Sequence, residues 1–224
     1  MLRVSGLVKT YTDAGGAVPV LGGIDLTAKQ GEFLAIMGVS GAGKSTLLNL
    51  LGGLDRPDSG SITVVNTDIT ALRDDALAVF RNKRIGFVFQ FHHLLPEFDL
   101  VENIIMPGLI AGQMRSELLK RAHVLLESVG LENRATHRPL ELSGGECQRA
   151  AVARALMNEP DLVLADEPSG NLDKGTSERL HGLLRRLCDE QKQTFVIATH
   201  NEHLASVADR IYRLSGGVLS EGAS

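Results

Sequence analysis

The chain has no block of basic residues: 23 Lys and Arg stand against 27 Asp and Glu, a formal charge of −4. That argues against a free-standing nucleic-acid binder, which needs a clustered positive footprint. Cysteine is scarce. Cys147 and Cys188 lie far apart and form no C-x-x-C pair, which argues against a disulfide framework and suits a reducing compartment. The start, MLRVSGLVKTY, lacks the apolar core of a signal peptide. The longest apolar stretches, such as residues 47–51, fall far short of the roughly 18 residues that mark a membrane span. A membrane role therefore has to come through a partner. Repeats, low-complexity tracts and long linkers are missing as well. What is present is ordinary globular material: 224 residues, 43% hydrophobic and 22% charged. That is within reach of one α/β domain with a sizeable core.

Short apolar runs at 2–8, 31–37, 62–65, 85–89, 161–166, 194–199, 210–214 and 218–219 read as strands. Residues 45–51 read as a helix closed by Gly52-Gly53, and 174–191 as a polar-faced helix. Residues from about 99 to 158 are helical by pattern, with Pro107 and Pro139 breaking the run and Gly130 suiting a helix end. Strands alternating with helices indicate a buried parallel sheet. The helix-rich stretch at about 90–145 interrupts that alternation and reads as an insertion into an α/β core.

Residues Gly38-Val39-Ser40-Gly41-Ala42-Gly43-Lys44-Ser45 fit G-x-x-x-x-G-K-[ST], after an apolar strand and at the opening of a helix. Glycines let backbone N–H groups turn inward around phosphate oxygens, and the helix N-terminus adds donors and a favourable dipole. Lys44 would reach the β- and γ-phosphates and the Ser45 hydroxyl would ligate Mg²⁺. A dinucleotide fingerprint fails, because Thr46 stands where its third glycine belongs. Asp166-Glu167 ends the apolar run 162–165. Neighbouring strand side chains point to opposite faces, so different roles are expected: Asp166 in the Mg²⁺ shell and Glu167 at the attacking water. In Leu142-Ser143-Gly144-Gly145-Glu146, Ser143 and Glu146 have capping-box spacing. The same glycine-bared helix end is also fit to receive a phosphate, and both readings stand.

The phosphate loop at 38–45 (Walker A), the 142–146 signature and the carboxylate-ended strand at 162–167 (Walker B), in that order, resemble the ATP-binding-cassette (ABC) ATPases across essentially the whole chain. Glu146 departs from the glutamine most frequent there. The resemblance implies a phosphate-loop α/β cassette in a single domain, 1–224. It would have a mixed, largely parallel core sheet, an N-terminal antiparallel β part and a helical subdomain inserted into a RecA-like core. It implies ATP, held by Tyr11 stacked on adenine and by Gly38, Val39, Ser40, Gly41, Ala42, Gly43, Lys44, Ser45 and Thr46. It implies Mg²⁺ on Ser45, Gln90 and Asp166, and catalysis by Glu167 and the switch histidine His200. Asp173 becomes the D-loop aspartate, although a plain helix N-cap also suits it. Ser143, Gly144, Gly145 and Glu146 would act in trans, on ATP bound by a second copy paired head to tail.

Because the chain ends soon after its last strand, no C-terminal regulatory domain is expected. Integral membrane permease subunits would then be separate chains, with this one peripheral at the cytoplasmic face of a bacterial inner membrane. The stretches 89–98, 101–107, 137–139 and 164–173 resemble cassettes of the family that power lipoprotein release. Cassettes of an export system or of a cell-division complex are the neighbouring readings. Residues 91–98 are expected to face the membrane subunit. The family's soluble members in DNA repair or translation usually carry coiled coils, zinc modules or tandem cassettes, which the sequence does not show.

Overall fold

The structure is a computed structural model that describes residues 1–13 and 15–222. Strands β1 (Leu2–Asp13), β2 (Gly16–Ala28), β4 (Ser59–Val64) and β5 (Thr67–Asp68) form an antiparallel sheet in the order β2-β1-β4-β5. A second sheet holds β3 (Phe33–Met37), β6 (Ile85–Val88), β7 (Leu162–Asp166), β8 (Thr194–Thr199), β9 (Arg210–Ser215) and β10 (Val218–Glu221), in the order β10-β9-β3-β8-β7-β6. All its pairings are parallel except that of β9 with β10. The helices are α1 (Lys44–Leu51), α2 (Asp74–Arg84), α3 (Leu100–Ile110), α4 (Arg115–Ser128), α5 (Gly144–Ala155), α6 (Lys174–Gln191) and α7 (Glu202–Ser206).

The central strands β3, β8 and β7 are buried on both faces, which is why they read as apolar runs. Successive side chains divide between two cores. Leu34, Ile36, Leu162, Leu164 and Val196 pack with the antiparallel sheet and α1. Phe33, Val163, Ala165, Phe195 and Ile197 pack with α3, α4, α5 and α6. The three helices α3 to α5 thus share a core with the sheet while lying, in sequence, between its neighbouring strands β6 and β7.

Four elements differ from the sequence expectation. Strand β1 continues to Asp13 and is followed by β2, whose Pro19, Gly22 and Gly23 read as breakers. Strand β2 is the outer strand of its sheet, where a missing N–H is tolerated. Its register with β1 slips at several points, and Gly23 has φ +96. Helix α2 buries only Leu77, so it lacks the apolar stripe that marks a helix. Pro107 lies inside α3 and does not break it. It falls in the last turn, and its carbonyl accepts from Asn82 and Asn158, both at 3.1 Å.

The segment between β6 and α3 has no regular structure and is held by side chains. Buried Asn103 accepts from Leu95 N–H at 2.7 Å and donates to the carbonyls of Leu95, Phe98 and Asp99. Arg154 donates to the carbonyls of His92 and His93, and Gln148 to that of Phe89. Replacing Asn103 by Ala strands several buried backbone groups. The expected loss is about 2 kcal/mol, a fall of about 4–8 °C in thermal midpoint, read by calorimetry of the purified chain.

Candidate active site

The carboxyl ends of β3, β7 and β8 lie side by side, the usual place for a ligand in an open α/β sheet. The phosphate loop leaves β3. Gly41 and Gly43 have φ +78 and +99, values that L side chains adopt only with strain. A Cβ on Gly38 would stand 2.7 Å from the Leu214 carbonyl oxygen. Gly43 caps α1 without a side-chain acceptor, so the first N–H groups of that helix are free to receive an anion. Lys44 is buried. Its ammonium donates to Gly38 O at 2.8 Å and Val39 O at 3.3 Å, and lies 3.5 Å from Glu167 Oε1.

Asp166 and Glu167 do not diverge to opposite sides. Both line one cavity of about 710 Å³, because the chain leaves β7 through Glu167 at φ +44. That turn puts the Glu167 carboxylate under His200 and Thr199. His200 Nδ1 is 2.8 Å from Oε1, and Oε2 accepts from Thr199 Oγ1 at 3.1 Å and from the His200 N–H at 3.3 Å. Burial pushes the Asp166 carboxyl above its ordinary range, and the neighbouring Ser45 hydroxyl opposes that. Asp166 Oδ1 is buried without a hydrogen-bond partner.

These residues fit Mg²⁺. An unpartnered carboxylate oxygen beside a hydroxyl offers hard oxygen donors, and Gln90 lines the same cavity with its Nε2 engaged by Asn171 Oδ1 at 3.2 Å. Among the described residues no group of three His, Cys, Asp or Glu could hold a metal. A cation here would take its remaining ligands from phosphate and water, as Mg²⁺ does.

The cavity gathers Tyr11, Val39, Ser40, Gly41, Gly43, Lys44, Ser45, Thr46, Gln90, Asp166, Glu167 and His200. Gly38 and Ala42 belong to the same loop without lining it. Val20 of β2 lines it too, and no sequence pattern marks it. Thr199, which orients Glu167, reads in sequence only as a strand residue. Tyr11 is 39% exposed and donates its hydroxyl to Asp55 Oδ2 at 2.8 Å.

Ser143, Gly144, Gly145, Glu146 and Asp173 are not in this cavity. Ser143 caps α5 with both bonds of a capping box, and Asp173 caps α6 by accepting from Thr176 N–H at 3.0 Å. Helices α5 and α6 touch where a Cβ on Gly145 would fall 2.2 Å from Thr176 Cγ2.

Fold and cavity together define a phosphate-loop nucleotide-binding cassette. The family model described as "ABC transporter" matches residues 21–170, and the chain belongs to that family. It is 53% identical to the lipoprotein-releasing system ATP-binding protein LolD of Porphyromonas gingivalis, over 91% of this chain and 93% of that one. It is 54% identical to LolD of Geobacter metallireducens, over 97% and 96%. Among solved structures, a dimeric post-hydrolysis state of the ATP-binding cassette MJ0796 bound to ADP and Pi is similar, at TM-score 0.90 and 39% identity over 99% and 98% of the two chains.

The packing of Gly145 makes a direct prediction. Gly145→Ala should destabilise the chain by about 1–3 kcal/mol through overpacking. Adding Thr176→Ser, which removes the obstructing methyl and keeps the hydroxyl, should restore most of it, as read from denaturant midpoints.

Proposed function

We propose that this chain is the ATP-hydrolysing subunit of a lipoprotein-releasing ABC system, working as a head-to-tail pair beneath integral membrane subunits of the LolC and LolE kind at the cytoplasmic face of the inner membrane. One observation carries the mechanistic part. The cavity holds phosphate loop, carboxylates and His200, but none of Ser143 to Glu146. A second copy would bring those residues to the nucleotide. The dimeric MJ0796 cassette supports pairing, and the similarity to LolD, of the lipoprotein-releasing system, supports lipoproteins as cargo.

The chemistry follows from the cavity. Lys44 and the N–H groups opening α1 bind the β- and γ-phosphates. Ser45 and Asp166, with the Gln90 amide oxygen, would hold Mg²⁺, which when bound offsets phosphate charge. The Glu167 carboxylate takes a proton from the attacking water. The water oxygen bonds to the γ-phosphorus as the bond to the β–γ bridging oxygen breaks, and ADP leaves with the electron pair. His200 and Thr199 hold Glu167 in line, and Tyr11 stands at the rim where an adenine ring stacks.

The membrane side is supported by a second, apolar cavity of about 480 Å³ between α2, β6 and α3, lined by Leu54, Phe87, Phe89, Leu95, Met106 and Ile110. Leu54, Leu95 and Ile110 are exposed. A cluster of exposed apolar side chains marks an interaction surface, and Leu95 brings one residue of 91–98 to this one.

Glu167→Gln keeps the shape of the side chain and removes its basicity. The variant should bind ATP, accumulate as a closed dimer on size-exclusion chromatography, and turn over at least about 100-fold more slowly. Near-normal turnover would defeat the assignment of Glu167.

A further inference from the structure

The third residue of α5 is a glutamate, and a carboxylate there conflicts with a phosphate arriving at the same helix end. Glu146 Oε2 accepts from the Ser143 N–H at 2.9 Å and from the Ser143 hydroxyl at 2.7 Å. The Ser143 bonds, with Arg134 assisting, hold the Glu146 carboxyl below its ordinary range, so it carries full negative charge at neutral pH. The Ser143 hydroxyl has one proton. While that proton is given to Glu146, only lone pairs remain for a phosphate oxygen, which needs a donor.

Arg134 lies outside the 142–146 segment, in the short turn Glu132–Arg134. Its Nε donates to Glu146 Oε1 at 3.2 Å, and its Nη1 is 3.2 Å from His137 Nε2. A guanidinium can only donate, so His137 Nε2 accepts. His137 is itself fixed. Its N–H donates to the Arg134 carbonyl at 2.9 Å, and its own carbonyl accepts from Leu100 N–H at the start of α3. The cation is thus anchored on one side and pulls on the carboxylate oxygen that Ser143 does not use.

We propose that Arg134 is a positioning residue for the signature half of the ATP site: it offsets the charge of Glu146 and so weakens its pull on the Ser143 proton, which lets the hydroxyl turn from Glu146 to the γ-phosphate when ATP bound by the second copy arrives. The inference rests on the in-trans reading above. Without Arg134, Glu146 holds the serine proton more strongly and sets an uncompensated negative charge against the incoming phosphate, a like-charge contact that opposes association.

The test is a double-mutant cycle. ATP-driven pairing is followed by light scattering in the Glu167→Gln background, and the ATP concentration giving half-maximal pairing is read. Arg134→Gln should raise that concentration roughly tenfold, the effect of about 1.4 kcal/mol. In a background that also carries Glu146→Gln, the same substitution should change it by less than about twofold, because no charge remains to be neutralised. Arg134→Lys, which keeps the charge and loses the fork, should recover most of the loss. ADP binding to the phosphate-loop cavity, which needs no second copy, should stay at the parent value in Arg134→Gln. Two results would overturn the proposal: no shift in Arg134→Gln, or a shift that persists at full size beside Glu146→Gln, since a merely structural turn residue behaves that way. If the parent shows no ATP-driven pairing at all, the in-trans reading itself fails and takes this inference with it.

Discussion

The Glu167 carboxylate joins the strands that carry the site. It stands at the end of β7, bonds the side chain and N–H of residues closing β8, and faces the ammonium of the lysine that opens α1 after β3. The backbone N–H of Glu167 also donates to Ala198 O of β8 at 2.8 Å. These contacts hold a non-glycine residue at positive φ, a conformation that costs of order 1–3 kcal/mol and persists only where surroundings fix it. The cavity depends on that turn. With ordinary strand geometry, Asp166 and Glu167 would point to opposite faces and would not share one cavity.

Around this point the sheet supplies rigidity. Its central strands β3, β8 and β7 are short, parallel and buried on both faces, so their carboxyl ends are held together. The loops that leave them carry the chemistry, while the packed cores on either face set where they begin. The 142–146 segment follows different rules. It begins α5, on the helical side, and is fixed by its own capping box and by close approach of α5 to α6. The phosphate loop and the 142–146 segment line different cavities of one chain, which suits the head-to-tail pairing proposed above.

The sequence discloses the parts whose structure is local. The phosphate loop is a contiguous pattern. Residues 174–191 and 194–199 read with the same limits as α6 and β8, because an aspartate cap and a threonine-bounded apolar run announce them. Strand β2 was illegible, since proline and paired glycines read as breaks until an outer-strand position and register slips absorb them. Helix α2 was illegible because Leu77 is its only buried residue. The shared orientation of Asp166 and Glu167 depends on one φ angle that no pattern encodes. The Arg134–Glu146 contact joins residues 12 positions apart through a short turn, and nothing in their spacing marks it.

The central claim is that each ATP site is built from two copies of the chain. It is tested most directly by mixing two disabled variants, Lys44→Ala, which lacks a working phosphate loop, and Ser143→Arg, which lacks a working signature. A mixed pair contains one site with both defects and one site with neither. Each variant alone should hydrolyse almost no ATP, and the equimolar mixture should regain about a quarter of the parent rate, since about half of random pairs are mixed and each has one of two sites intact. Full turnover by Ser143→Arg alone, or a mixture as inactive as its components, would contradict the account.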